Sequence, residues 1–470
     1  MMTETSELAV GLRSERGAIL GSLMLATALV ALDSTVIATA VLTITDNLGG
    51  FAQFPWLFSI YLLAQAVTVP IYGKLADTVG RKPVILFGIV MFALGSLLCG
   101  IATSMLGLII FRAVQGIGAG AIQPMTMTIA GDLYTLSERA KVQGYLASVW
   151  AMSSVAGPLL GGIFAEYISW RWIFLINLPL SALAGWMLVR NFAESAPRRR
   201  QRVDYLGAAL LTVGAGALIL GLLEGGQAWA WASPTGIGVF VGGAALLVLF
   251  GMVERRADNP ILPLWVFTRR VVIASGLVAV LIGAILLGLT SYVPTYTQGV
   301  LGTGALVAGL TVGALTLGWP LAASQAGKVY LRIGFRTTAV IGSGLAALGA
   351  ASTLLITVDS TLWQVAASCF VIGTGMGLVA TPTLIAAQTS AEWTERGVVT
   401  SANMFARSIG SAVGVAVFGA IVNSRVGGTG HPLPATLASS VHLVFIAVAA
   451  MAVVLVVASA TMPGREVAHA

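Results

Sequence analysis

Predominantly apolar blocks of roughly 18–25 residues, separated by short polar stretches, recur along most of the chain. At 1.5 Å of rise per residue, a helical block of that length crosses a hydrocarbon core about 30 Å thick. In lipid the backbone must satisfy its own hydrogen bonds, and a helix does so within one segment. Composition removes the alternative. Only 9% of the 470 residues are charged and 57% are hydrophobic, whereas a soluble domain carries about 25% charged residues. The chain is therefore expected to be an all-α polytopic membrane protein. A soluble enzyme is excluded, and no polar stretch is long enough to fold as an aqueous domain.

About 14 spans are expected, near 17–43, 55–75, 83–101, 104–133, 141–165, 171–190, 204–224, 234–253, 271–294, 303–326, 337–357, 362–388, 398–422 and 436–460. Lys and Arg test that number, because short cytoplasmic loops are enriched in them. With the N-terminus inside, all 25 Lys and Arg fall on the cytoplasmic side except four. Arg171 and Arg425 lie outside, and Arg112 and Arg407 lie within the membrane. This sorting predicts 14 spans with both termini cytoplasmic, in the cell inner (cytoplasmic) membrane. The first apolar block is too long for a signal peptide and ends in no cleavage site.

The net charge of +7 is spread over many short loops, so no nucleic acid partner is expected. Cys99 and Cys369 lie in apolar blocks, and His431, His442 and His469 are few and late in the chain. Neither set suggests a metal site, and no cofactor is expected.

The chain repeats at the scale of half its length. Gly73, Lys74 and Gly80 recur as Gly327, Lys328 and Gly334. Gly116, Gly118 and Gly120 recur as Gly373, Gly375 and Gly377, and Glu138-Arg139 as Glu395-Arg396. Segments 1–6 thus correspond to segments 9–14, with segments 7 and 8 inserted after the basic run Arg198-Arg199-Arg200-Gln201-Arg202. Three parts are expected: 1–195 as an N-terminal six-helix bundle, 196–262 as linker plus two inserted helices, and 263–470 as a C-terminal six-helix bundle. Parallel halves around a central site are a transporter architecture.

These residues carry a resemblance. The loop Gly73-Lys74-Leu75-Ala76-Asp77-Thr78-Val79-Gly80-Arg81-Lys82 is similar to the signature loop of the major facilitator superfamily. The two inserted helices resemble its 14-span drug:proton antiporter branch, of multidrug efflux type. Further motifs agree: Leu32-Asp33-Ser34-Thr35, Arg112 with Gln115-Gly116, Gly157-Pro158-Leu159-Leu160-Gly161-Gly162, and Trp170-Arg171-Trp172 with Asn177. The second signature loop has Leu331 and Phe335 in place of Asp77 and Arg81. The resemblance implies alternating access, a gating role for Gly73, Asp77, Gly80, Arg81 and Lys82, and export against protons for the helix holding Gly157, Pro158, Gly161 and Gly162. Its own chemistry shows only a close-packed, bent helix.

Asp33 is the one acidic residue deep in a span, about ten residues (roughly 15 Å) from the outer end of segment 1. A charge at that depth costs about 2.5–3.5 kcal/mol on insertion scales, which marks it as functional. Two readings stand: a proton-coupling carboxylate, with a secondary role anchoring a cationic substrate, or a locked ion pair. Arg112 is the expected partner, at similar depth in the same half. Gln123 shares its helix face. Arg407, about nine residues into segment 13, could hold an anionic substrate group or bind backbone carbonyls. Met127, Trp150 and Tyr292 are candidates for a lipophilic cavity wall, against plain packing.

The sequence therefore points to a proton-driven exporter of lipophilic or amphipathic small molecules. Its expected partners are that substrate, protons and the bilayer, and a monomer is expected. Alternatives are export of a lipid, siderophore or endogenous metabolite, and uptake symport. A membrane transferase lacks the clustered acid, base or nucleophile it would need. No G-x-x-x-x-G-K-[ST] loop is present for nucleotide-driven pumping.

Overall fold

The computed structural model describes residues 11, 12, 14, 16–134, 136–194, 204–226, 228–257, 260, 264–391, 396–426 and 433–462, apart from some side chains such as that of Asp77. Helices dominate. They are α1 (Gly17–Val36), α2 (Val41–Leu48), α3 (Phe54–Val79), α4 (Arg81–Gly100), α5 (Met105–Leu133), α6 (Leu136–Ile163), α7 (Trp172–Leu175) and α8 (Asn177–Asn191). Then come α9 (Tyr205–Glu224), α10 (Pro234–Glu254), α11 (Arg270–Gly299), α12 (Ala305–Ile333), α13 (Phe335–Thr353), α14 (Leu362–Thr389), α15 (Arg396–Val426) and α16 (Pro434–Ala460). Among the described residues no strand forms beyond one isolated bridge, Gly225 to Trp229.

Thirteen helical stretches among the described residues are long and apolar enough to cross a membrane. The first is continuous from Gly17 to Leu48, through a tighter 3₁₀ turn at Ile37–Ala40. The fourteenth expected segment, 337–357, forms α13, but Gly, Ala, Ser and Thr make up most of it and it falls short of the others in apolarity. Its small side chains suit its place, packed between α14 and α16.

The repeat is visible in the backbone. Gly80 turns α3 into α4 with φ +107°, and Gly334 turns α12 into α13 with φ +86°, a region that disfavours side chains with a Cβ. The repeated glycines work the same way in both copies. Two-residue spacing on a helix rotates successive positions by about 200°, so alternate glycines serve two neighbours. Gly116 and Gly120 admit the backbone of α3 at Tyr61 and Gln65, while Gly118 admits α4 at Phe92. Gly373 and Gly377 admit α12 at Leu315 and Trp319, while Gly375 admits α13 at Ala346. In lipid such close approach replaces the hydrophobic effect as the main source of helix association.

Helices α1 to α8 pack largely on one another, as do α11 to α16. The two sets meet along α3 with α15 and along α6 with α12. Inserted helix α9 lies against both α3 and α15, and α10 packs on α9. We call the end carrying Gly17, Gly80 and Gly334 the near face, and the opposite end the far face. Contacts joining the sets gather toward the far face. Ser59 Oγ donates to the Ala412 carbonyl (3.0 Å), Asn423 Nδ2 to that of Ala52 (2.7 Å) and Gln298 Nε2 to that of Thr39 (3.1 Å). The Leu306 amide donates to Glu166 Oε2 (3.1 Å). One buried apolar cluster, including Val36, Phe54, Tyr292, Val415, Phe418 and Val422, fills the junction between them.

Candidate functional site

Asp33 and Arg112 meet inside the N-terminal set. Arg112 Nη1 lies 2.7 Å from Asp33 Oδ2, and each side chain is only 1% exposed. The other carboxylate oxygen accepts from Gln115 Nε2 (2.7 Å) and Asn177 Nδ2 (3.1 Å). Arg112 also donates Nη1 to Gln115 Oε1 (2.7 Å) and Nε to the Leu57 carbonyl (3.1 Å), and its guanidinium stacks 4.0 Å from the Tyr61 ring centre. Ser96 Oγ accepts from both Gln115 Nε2 (2.8 Å) and Asn177 Nδ2 (3.3 Å).

Five helices supply this cluster: α1 the carboxylate, α3 a carbonyl and a ring, α4 a hydroxyl, α5 Arg112 and Gln115, and α8 Asn177. Arg112 and Gln115 are three apart and so share a face of α5. Asn177 reaches the carboxylate because it opens α8, just past the short turn of α7. Both charges are paired and hydrogen-bonded, the condition under which burial is tolerated. The same low dielectric makes any unpaired member expensive, so the cluster is sensitive to a single proton.

Three donors from α5 and α8 bond the carboxylate, which is only 1% exposed in this conformation. Of the residues around the pair, Gln115 and Asn177 are marked in the sequence only by the resemblance, and Ser96 is not singled out. The i, i+3 spacing of Arg112 and Gln115, and an Asn at the head of an apolar run, were the available signals.

The remaining candidates fall in different places. Gln123 accepts from Gln65 Nε2 (3.3 Å), a polar pair joining α5 to α3. Met127 and Trp150 are half-buried. Tyr292 does not line an open cavity. It is fully buried at the far-face junction, 5.3 Å from the Phe54 ring and 6.4 Å from that of Phe418. Arg407 is half-buried on α15. Among the described residues it makes no hydrogen bond, ion pair or ring contact, and no charged side chain offsets its burial. Among the described residues the carbonyl-binding reading of Arg407 finds no partner.

At the near face, Arg81 Nε lies 2.9 Å from Asp132 Oδ2 at the end of α5, and the Arg81 amide donates to Glu194. Lys82 Nζ donates to the carbonyls of Val189 (2.9 Å) and Phe192 beyond the end of α8. This loop thus ties α4 to α5 and α8. The Asp77 side chain lies outside the described residues, and Gly73 has open space where a Cβ would stand. On α6 the glycines divide their work. Gly157 and Gly161 press on Thr35 and Val36 of α1, Gly162 presses on Leu306 of α12, and the Pro158 carbonyl abuts Gly309 of α12. One short segment therefore touches both sets. Cys99 and Cys369 are buried free thiols, and no metal-binding cluster occurs among the described residues.

The comparisons agree with this arrangement. The family model of the major facilitator superfamily matches residues 23–415. Multidrug resistance protein 3 of Bacillus subtilis (strain 168) is 36% identical over 86% of this chain and 78% of its own. Multidrug transporter protein MdtP of the same organism is 35% identical over 89% and 77%. Among solved structures, a bacterial homologue of the human lysosomal transporter Spinster, inward-facing and unoccupied, superposes with a TM-score of 0.69. It is 16% identical, over 95% of this chain and 97% of that one, a likeness of fold alone. With its all-helical multi-pass architecture and these relatives, the chain belongs to the major facilitator superfamily of membrane transporters.

Proposed function

We propose that this transporter is a proton-coupled antiporter that exports lipophilic or amphipathic small molecules, of multidrug type, by alternating access. The observation that carries the reading is the position of Arg112, which holds Asp33 on α1 and the Leu57 carbonyl on α3 at once. Helix α3 also carries Phe54, Pro55 and Ser59, which meet α11 and α15 at the far face. Protonating Asp33 removes the counter-ion of Arg112. The guanidinium must then find other partners, and the tie between α1 and α3 changes with it. A proton is thereby linked to the helix that seals the far face. In this reading α1–α8 and α11–α16 act as two six-helix bundles that rock about the buried junction, with α9 and α10 inserted between them.

The near face is assigned to the cytoplasm by its basic residues, among them Lys74, Arg81, Lys82, Lys328, Arg332 and Arg336. The gathering of inter-set contacts at the far face then corresponds to an inward-facing state. Export and a multidrug range are supported by the names of the relatives and by the motif Gly157 to Gly162. The test is dye accumulation in proteoliposomes under an imposed pH gradient. Wild type should accumulate dye and Asp33→Asn should only equilibrate it. Equal uphill accumulation by both proteins overturns the coupling role.

A further inference from the structure

Among the described residues the charges deep in the helices do not balance. Asp33 and Arg112 cancel inside the N-terminal set, and Arg407 remains as a cation with no described partner. Helix geometry shows where it stands. On α15, Gly410 and Gly414 press against Val280 and Ala284 of α11, and Asn403 donates to Ser275 of α11. On the opposite arc, Phe405, Ile409 and Val413 pack with Leu63, Leu211 and Ala215 of α3 and α9.

Ser411 and the Arg407 carbonyl also lie against α11, at Gly283, and next to this face runs a third stripe: Met404, Ser408, Val415 and Val422, at helical spacing. Toward the far face Val415 and Val422 are fully buried in the junction. Toward the near face Met404 and Ser408 are half-buried. One stripe thus passes from a sealed junction to partly exposed positions, and half-buried Arg407 flanks it there. Arg407 lies about 28 Å from the far end of its helix, and Gln123 of the Gln65–Gln123 pair about 27 Å from the far end of α5. The two sets therefore present a neutral amide pair and, among the described residues, an unpaired guanidinium at matching depth.

We propose that Arg407 is the anion-recognising group of the inner vestibule, and that the ligands taken there include amphiphiles bearing a carboxylate, sulfonate or phosphate. This rests on the exporter reading and narrows its substrate class. A guanidinium offers five donors in a planar fork suited to such groups. Met404 beside it supplies an adaptable apolar wall for the tail of an amphiphile. An anion entering the site supplies a counter-charge that no described residue provides. The same chemistry is available from a free amphiphile or from the headgroup of an anionic lipid.

The test is equilibrium binding to the purified full-length chain, without a proton gradient, so that it is independent of coupling. The probes are a pyrene-labelled fatty carboxylate and its methyl ester. Wild type in phosphatidylcholine nanodiscs should bind the carboxylate more tightly than the ester. Arg407→Gln should weaken carboxylate binding by about tenfold and leave the ester unchanged, and Arg407→Lys should recover part of the loss. Adding phosphatidylglycerol to the nanodiscs separates the sources. Competition with the carboxylate identifies a lipid headgroup as the occupant, and unchanged binding identifies a free amphiphile. Equal affinity of wild type for carboxylate and ester overturns the proposal, and that comparison needs no variant to fold. Failure of uphill transport in Asp33→Asn alongside intact carboxylate selectivity separates this inference from the coupling mechanism.

Discussion

Arg112 Nη1 stands 2.7 Å from Asp33 Oδ2, with both side chains sealed from solvent. A charge pair so placed is costly to break and cheap to replace whole. Arg112→Met alone should lower stability by about 3–5 kcal/mol, because it strands a buried carboxylate. The double variant Asp33→Asn with Arg112→Met should recover most of that loss and remain unable to drive uphill transport. Thermal unfolding in detergent measures the first part and proteoliposome uptake the second. If the double variant is as unstable as the single one, the pair is not acting as a compensated unit.

Gln115 bonds Asp33, Arg112 and Ser96 together. Gln115→Leu should cost about 1–3 kcal/mol, the penalty of leaving buried polar groups unmet. Ser96→Ala should cost less, since each amide that Ser96 accepts from also donates to Asp33. A melting series across the two variants checks that order, and reversed ranking would displace Gln115 from the centre of the network.

Gly162 lets α6 touch Leu306 of α12. Gly162→Val should insert into that contact and hold the far face apart while leaving α6 in the membrane. Paired cysteines introduced at Pro158 and Gly309 should crosslink more slowly in this background, and transport should fall sharply. Unchanged crosslinking would mean that the junction is soft enough to absorb the side chain.

At the near face, Arg81 and Asp132 form a partly exposed pair. Such pairs contribute about 0.2–1 kcal/mol to stability, so the effect is expected in turnover rather than in folding. Asp132→Arg should slow transport with little change in melting temperature, and Arg81→Asp in the same chain should restore it. Absence of rescue would assign the contact to anchoring only.

Helix positions were legible in the sequence because a span needs a fixed length of apolar chain, and few charges interrupt it. Where that signal weakened, as in α13, small residues had replaced large apolar ones and packing had taken over from hydropathy. Asp33 and Arg112 stood out because ionised groups are rare in hydrocarbon. Ser96 did not, and Gln115 and Asn177 were marked only by resemblance, since a neutral polar residue can face a neighbour, a cavity or its own backbone, and only rotation about the helix decides. Tyr292 shows the converse. An aromatic side chain satisfies a cavity wall and a sealed junction equally well by composition, and its depth relative to Phe54 and Phe418 exists only in three dimensions.

The placement of α9 leaves the molecule with two unlike flanks. The α3–α15 border carries an extra helix along its length, fastened by Trp56 to Glu224 (2.9 Å), and α10 thickens that side further. At the α6–α12 border, α6 and α12 meet directly. If one half tilts against the other as proposed, it must carry the two helices α9 and α10 on the first side, and among the described residues no inserted helix on the second. In the rocking cycle proposed above, lipid on the two sides would therefore be displaced unequally, giving the transporter a front and a back within the plane of the bilayer.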